Sequence, residues 1–167
     1  CETFVIIQDF QELCDQPSGG SIAGFIHTEE DEAIEGVRVE LSGRESRTQR
    51  TTGDGLYRFT SLQKGYDYSV ETAFDADEDP LNGVSTLDLI LISKHILGVQ
   101  RLESPYKLIA ADVNASGAVS TLDLIQLRKL ILGVNAGFSN NHSWRFLPGS
   151  LAFADPAAPW AELDAME

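Results

Sequence analysis

The sequence predicts a multi-module chain, β followed by α: a small antiparallel β-sandwich and then a pair of loop-helix units. Three observations carry this expectation. Short apolar-polar alternations with turn residues between them fill residues 21–74. A stretch beginning at Val84 is repeated at a fixed offset of 35 residues. Within each copy the apolar spacing changes from two to the i, i+3, i+7 pattern of one helical face. The expected boundaries are 1–20 for an N-terminal strand and linker, 21–74 for the sandwich, 75–136 for the helical pair and 137–167 for an extended tail.

The first segment holds one strong strand signal, Glu2 to Asp9, and ends in Pro17-Ser-Gly-Gly20, which reads as a linker. Phe4, Val5, Ile6 and Ile7 place apolar side chains on both faces, and a lone strand is unstable. It must therefore pair with the following domain, an upstream domain or a neighbouring molecule. Cys1 and Cys14 are the two cysteines. A Cys1–Cys14 disulfide, a bond to another segment or chain, and a lipidated Cys1 all remain open. A chain that starts at Cys1 and has Met166 as its single methionine reads as processed or truncated.

The sandwich strands are expected at Ile22 to Ile26, Val37 to Leu41, Tyr57 to Phe59 and Tyr66 to Val70, with a tight turn at Gly53-Asp-Gly55. The order Gly36-Val37-Arg-Val39, Thr51-Thr-Gly-Asp54-Gly55-Leu-Tyr57-Arg-Phe59, Leu62 and Gly65-Tyr66 resembles the carboxypeptidase regulatory-like (transthyretin-like) β-sandwich family over about 50 residues.

In the repeat, Val84-Ser-Thr-Leu-Asp-Leu-Ile90 returns as Val119 to Ile125, and Lys94, Ile96-Leu-Gly-Val99 as Lys129, Ile131-Leu-Gly-Val134. Leu89, Ile92, Ile96 and Val99, with Leu124, Leu127, Ile131 and Val134, are expected on the buried helical faces, and Gly98 and Gly133 as helix stops. The residues before each helix have the spacing of a calcium loop, which takes oxygen ligands at positions 1, 3, 5, 7, 9 and 12 and turns sharply at 6. In the second copy these are Asp112, Asn114, Ser116, Ala118 (through its carbonyl), Ser120 and Asp123, with Gly117 at the turn. In the first copy they are Asp77, Asp79, Leu81, Gly83, Ser85 and Asp88, with Asn82 at the turn, where asparagine tolerates the left-handed backbone. Leu81 has no oxygen to give, so the first loop is the degraded one. Ser85-x-x-Asp88 and Ser120-x-x-Asp123 are also capping boxes, which start helices without any metal. Capping explains those four residues but not Asp112, Asn114, Ser116 and Gly117 at ligand spacing.

Two such loops, each followed by Leu-Asp-Leu, a basic residue and a terminal Leu-Gly, resemble a type I dockerin over about 60 residues. The resemblance implies Ca2+ as cofactor and a cohesin domain as partner, docked through helix faces. Loop positions 10 and 11, here Thr86, Leu87, Thr121 and Leu122, would help to choose that partner. The whole order, ending in Ser143-Trp-Arg-Phe146, is also similar to a segment recurring in very large bacterial surface proteins, where it implies connectors and adhesive repeats.

Composition narrows the function classes. With 26 Asp and Glu against 12 Lys and Arg the formal charge is −14, which repels nucleic-acid backbones and anionic lipid, and no apolar run has bilayer-spanning length. His27, His95 and His142 lack metal or triad spacing, and no phosphate loop, nucleophile elbow or zinc helix is present, so no enzyme is expected. Asn114-Ala-Ser116 and Asn141-His-Ser143 match glycosylation sequons, with Asn114 reserved for calcium and Asn141 open to sugar. Trp144, Phe146, Phe153 and Trp160 in the tail are expected to pack on the modules or on another molecule. The leading expectation is a non-catalytic, secreted, calcium-binding structural subunit of a bacterial surface fibre or adhesin, self-associating through the Phe4 to Ile7 strand and the aromatic tail. The alternative is a cohesin-binding module that targets a separate glycan-active enzyme or adhesin to a scaffold.

Overall fold

The structure, a computed structural model, describes residues 3–8, 19–74, 80–138 and 141–164, with residues 3–8 and 164 described by backbone alone. Cys1, Cys14, Asp77 and Asp79 lie outside the described residues. The chain divides into two compact units, one of Phe4–Ala76 with Phe146–Leu151 and the other of Asp77–Arg145 with Ala152–Glu167 and Cys1–Thr3.

Among the described residues, the regular elements of the first unit are all β strands. Strands β1 (Thr3–Gln8), β2 (Gly20–His27), β5 (Leu56–Leu62) and β7 (Trp144–Pro148) form one sheet in the order β5-β2-β1-β7. Strands β3 (Arg38–Gly43), β4 (Arg47–Arg50) and β6 (Tyr68–Ala73) form a second in the order β4-β3-β6. The four apolar runs read from sequence fall in or against β2, β3, β5 and β6. Alternation gives the core: Val39 and Leu41 of β3 and Tyr57 and Phe59 of β5 are buried while their neighbours Glu40 and Arg58 are not. Ile26, Val37, Leu62 and Leu147 are buried as well. The Gly53–Gly55 turn closes through Gly55 N–H donating to the Thr52 carbonyl (2.8 Å), and the chain changes sheet there, from β4 to β5. The Thr52 hydroxyl also donates to Asp54 (2.5 Å), holding that exposed carboxyl below its ordinary range. In β5 an extra residue, Ser61 at φ 60°, breaks the register opposite Gly20 and Ile22. Gly19 is required beside it, since a Cβ there would lie 2.7 Å from Ser61 Cα.

Strand β1 finds both neighbours within its own chain. It pairs antiparallel with β2, Ile7 opposite Ile26, and has β7 on its other side. The tail therefore differs from the extended chain its Gly, Asn and Pro content predicts, because it supplies β7 and the short helix α4 (Trp160–Asp164). Its aromatics are partly enclosed, and Phe153 stacks edge-on against Tyr106 with centroids 5.5 Å apart.

The second unit is built on α1 (Thr86–Ile96), α2 (Pro105–Ala111) and α3 (Thr121–Ile131). Ser85 and Ser120 cap α1 and α3 in full capping boxes, and Ser104 with Pro105 at the first helical position starts α2. Its core is Ile92, Ala111, Val113 and Leu127, with Val84, Leu89, Ile96, Val119, Leu124, Ile131, Leu102 and Phe138 packed against it. Three of the four expected positions in each helix are thus on the core face. The fourth is corrected: Val99 and Val134 are 71% and 67% exposed. Both lie beyond the helix stop, where Gly98 (φ 68°) and Gly133 (φ 67°) turn the chain left-handed. The N–H groups of Val99 and Val134 then cap the carbonyls of Lys94 and Lys129, each at 2.9 Å, and the valine side chains leave the core face. Among the described residues, no helix is long and apolar enough to cross a membrane.

Candidate metal centre

The second loop runs from the C-terminal cap of α2, Asp112, to the N-terminal cap of α3, Ser120. Burying α2 through Leu108, Ile109, Ala110 and Ala111 carries Asp112 inside with it, to 3% exposure. Its carboxylate accepts Ser116 N–H (2.9 Å) and Ser116 Oγ–H (3.3 Å) at Oδ1 and Gly117 N–H (2.7 Å) at Oδ2. Those contacts fold the loop back on its first residue. Ala115 (φ 53°) and Gly117 (φ 78°) are the left-handed residues that permit the reversal.

Asp123, fully buried in the first turn of α3, spans the loop from the other end. One oxygen accepts Ser120 N–H (2.7 Å) and the Ser120 hydroxyl (3.0 Å), completing the capping box. The other accepts Asn114 N–H (3.1 Å), nine residues back. The carboxylate therefore does more than cap, since it ties loop position 3 to the helix. The Ser116 hydroxyl also reaches the Ala118 carbonyl (3.2 Å).

Two features of this loop call for a cation. Asp112 and Asp123 are buried carboxylates to which no Lys, Arg or His of the described residues is paired. Buried charge of one sign is costly unless an opposite charge neutralises it. In addition, the Asn114 side-chain oxygen, at loop position 3, is buried with no hydrogen-bond donor. Carboxylates, an amide oxygen, hydroxyls and a carbonyl are the hard oxygen donors that calcium takes. Among the described residues no group of three or more His, Cys, Asp and Glu side chains is arranged to hold a metal ion; the second loop offers two carboxylates and otherwise neutral oxygens.

The first loop is described from residue 80 onward, with Asp77 and Asp79 outside. Its helix end matches the second copy closely: Asp88 accepts Ser85 N–H at 2.7 Å and the Ser85 hydroxyl at 3.0 Å. The turn departs from expectation. Gly83 (φ 74°), not Asn82, takes the left-handed backbone, because glycine has no Cβ to oppose it and stands next in the chain. Val84 N–H closes that turn on the Leu81 carbonyl (2.9 Å), and the Leu81 side chain is 37% exposed.

A second set of paired residues is exposed along each helix and just past its C-terminal end. Leu87, Ile90, Leu97 and Val99 are 58, 52, 75 and 71% exposed, and their counterparts Leu122, Ile125, Leu132 and Val134 are 59, 50, 69 and 67% exposed. Thr86 and Thr121 beside them are exposed too. Reading the buried face from the sequence left Ile90, Ile125, Leu97 and Leu132 unassigned, although their repetition at the same offset was the available signal.

No curated protein and no solved structure matches the chain. Residues 72–132 match the family model of the dockerin type I domain, and dockerin type I domains bind calcium.

Proposed function

We propose that this chain is a non-catalytic assembly protein in which a calcium-braced helical module docks a cohesin-class partner. The observation that carries the reading is the apolar set Leu87, Ile90, Leu97 and Val99 repeated as Leu122, Ile125, Leu132 and Val134, all at least half exposed. Large apolar side chains left exposed at matching positions of two repeats are a signature of protein interfaces, and a family whose members bind cohesin domains supplies the partner class.

In this reading Asp112, Asn114, Ser116, Ala118, Ser120 and Asp123 hold one calcium ion, supported by the two unpaired carboxylates and the undonated Asn114 oxygen. The ion supplies the positive charge that lets both carboxylates stay buried, and so fixes the angle at which α3 leaves the loop. Asp77, Asp79, Gly83, Ser85 and Asp88 form a weaker second site. The two β-sheets serve as a carboxypeptidase regulatory-like sandwich that presents the module on a secreted or cell-surface protein.

The test is surface capture of the full chain by type I cohesins in calcium and in chelator. Calcium-dependent capture that is lost on Leu87→Ser with Leu122→Ser is expected. Capture that ignores both the chelator and the substitutions would overturn the reading.

A structural-subunit role remains the second reading, favoured by β1 lying between β2 and β7, a slot that the same strand of another copy fits equally. Sedimentation in calcium distinguishes the two: heavy polymers support strand exchange, a monomer supports docking.

A further inference from the structure

The sequon residue Asn141 lies outside both repeats, yet its side chain reaches the second loop. Its Nδ2 donates to the backbone carbonyls of Asp112 (3.2 Å) and Val113 (3.4 Å), while its Oδ1 accepts His142 N–H (2.9 Å). Asp112 is the C-terminal cap of α2, where helix carbonyls run out of intrahelical partners. The Asp112 carbonyl also accepts Ala115 N–H (3.2 Å), and the two hydrogens of a side-chain amide are suited to hold this carbonyl and that of Val113, the residue after the cap, at once. Phe138 packs on the cluster containing Ala111 and Val113, the residues on either side of Asp112. The segment after α3 thus grips the chain around Asp112 in two ways, by apolar contact at its neighbours and by hydrogen bonds at its carbonyls.

We propose that Asn141 is a positioning residue for calcium at the second loop. By fixing the peptide groups that follow α2, it holds the Asp112 backbone in the one orientation that aims its carboxylate back across the loop at Ser116 and Gly117. The inference rests on the proposed calcium reading of that loop. It has a second consequence: an N-linked sugar would replace one of the two Nδ2 hydrogens that make these bonds, so Asn141 is a structural donor in the folded protein and not a glycan carrier, despite its Asn-His-Ser sequon.

Calorimetric calcium titration of the full chain tests this, with Asp123→Ala identifying the heat that belongs to the second loop. Asn141→Ala and Asn141→Leu both remove the donors, but leucine keeps the volume. Each is expected to weaken the second-loop affinity about tenfold, the worth of two modest hydrogen bonds, with helix content in saturating calcium unchanged. An Asn141→Leu chain that binds like the parent would overturn the positioning role and leave the calcium reading intact. A parent chain whose calcium heat is indifferent to Asp123→Ala would overturn both. If the alanine variant fails to fold, the leucine variant decides.

Discussion

The two copies of the loop-helix unit part company at one end only. From their capping serines onward they are nearly superimposable in chemistry: the same capping box with the same distances, the same core positions, the same glycine stop and the same exposed leucines. Before the serines they differ. The second copy is led in by α2, which buries Asp112, and it has glycine at position 6; the first has Leu81 at position 5 and its left-handed glycine one place later. A helix can keep its fold through its own cap and core face, whereas a metal loop depends on every oxygen and on the register of one turn. The repeat has preserved the part that is locally self-sufficient in both copies.

The largest test of that contrast compares Asp123→Ala with Asp88→Ala. Loss of Asp123 removes the cap and the ion together; in calcium at about a thousand times its dissociation constant the ion alone is worth about 4 kcal/mol of stability. Loss of Asp88 is expected to cost about 1 kcal/mol, the worth of a cap. Thermal unfolding with and without chelator reads both, and equal losses that disappear in chelator would make the two loops equivalent sites.

A smaller change should repair the difference. Leu81→Asp supplies an oxygen at position 5 of the first loop and is expected to raise calcium-dependent stability by about 1–2 kcal/mol, with stoichiometry by calorimetry moving toward two. No change would mean that the displaced glycine turn, not the missing oxygen, is what weakens the loop. The smallest effect should be the most symmetrical: Gly98→Ala and Gly133→Ala each force a Cβ into left-handed backbone and are expected to cost about 1 kcal/mol, equally and independently of calcium.

Much of this was legible in the sequence. The four alternating runs lie at β2, β3, β5 and β6, and the repeat placed α1 and α3 with their caps and stops. What escaped did so for physical reasons. β4 is Arg-Thr-Gln-Arg, a polar edge strand with no apolar alternation to betray it. α2 is too short for a helical period, although Ser104 before Pro105 is a start signal. β7 owes its state to a partner far away in sequence, which no local pattern reports. At the site, spacing brought out the loop oxygens, but Asn141 is a tertiary contact and carried only its sequon.

The strand order β5-β2-β1-β7 also sets a timetable. β7 begins at Trp144, so the outer edge of β1 stays open while α1, α2 and α3 are all synthesised. Strand pairing across so long a stretch of chain is slow to close, and an open edge accepts any strand that arrives first. A ribosome stalled before residue 144, or a protease cutting ahead of it, would release a chain whose first sheet is one strand short and available to its neighbours.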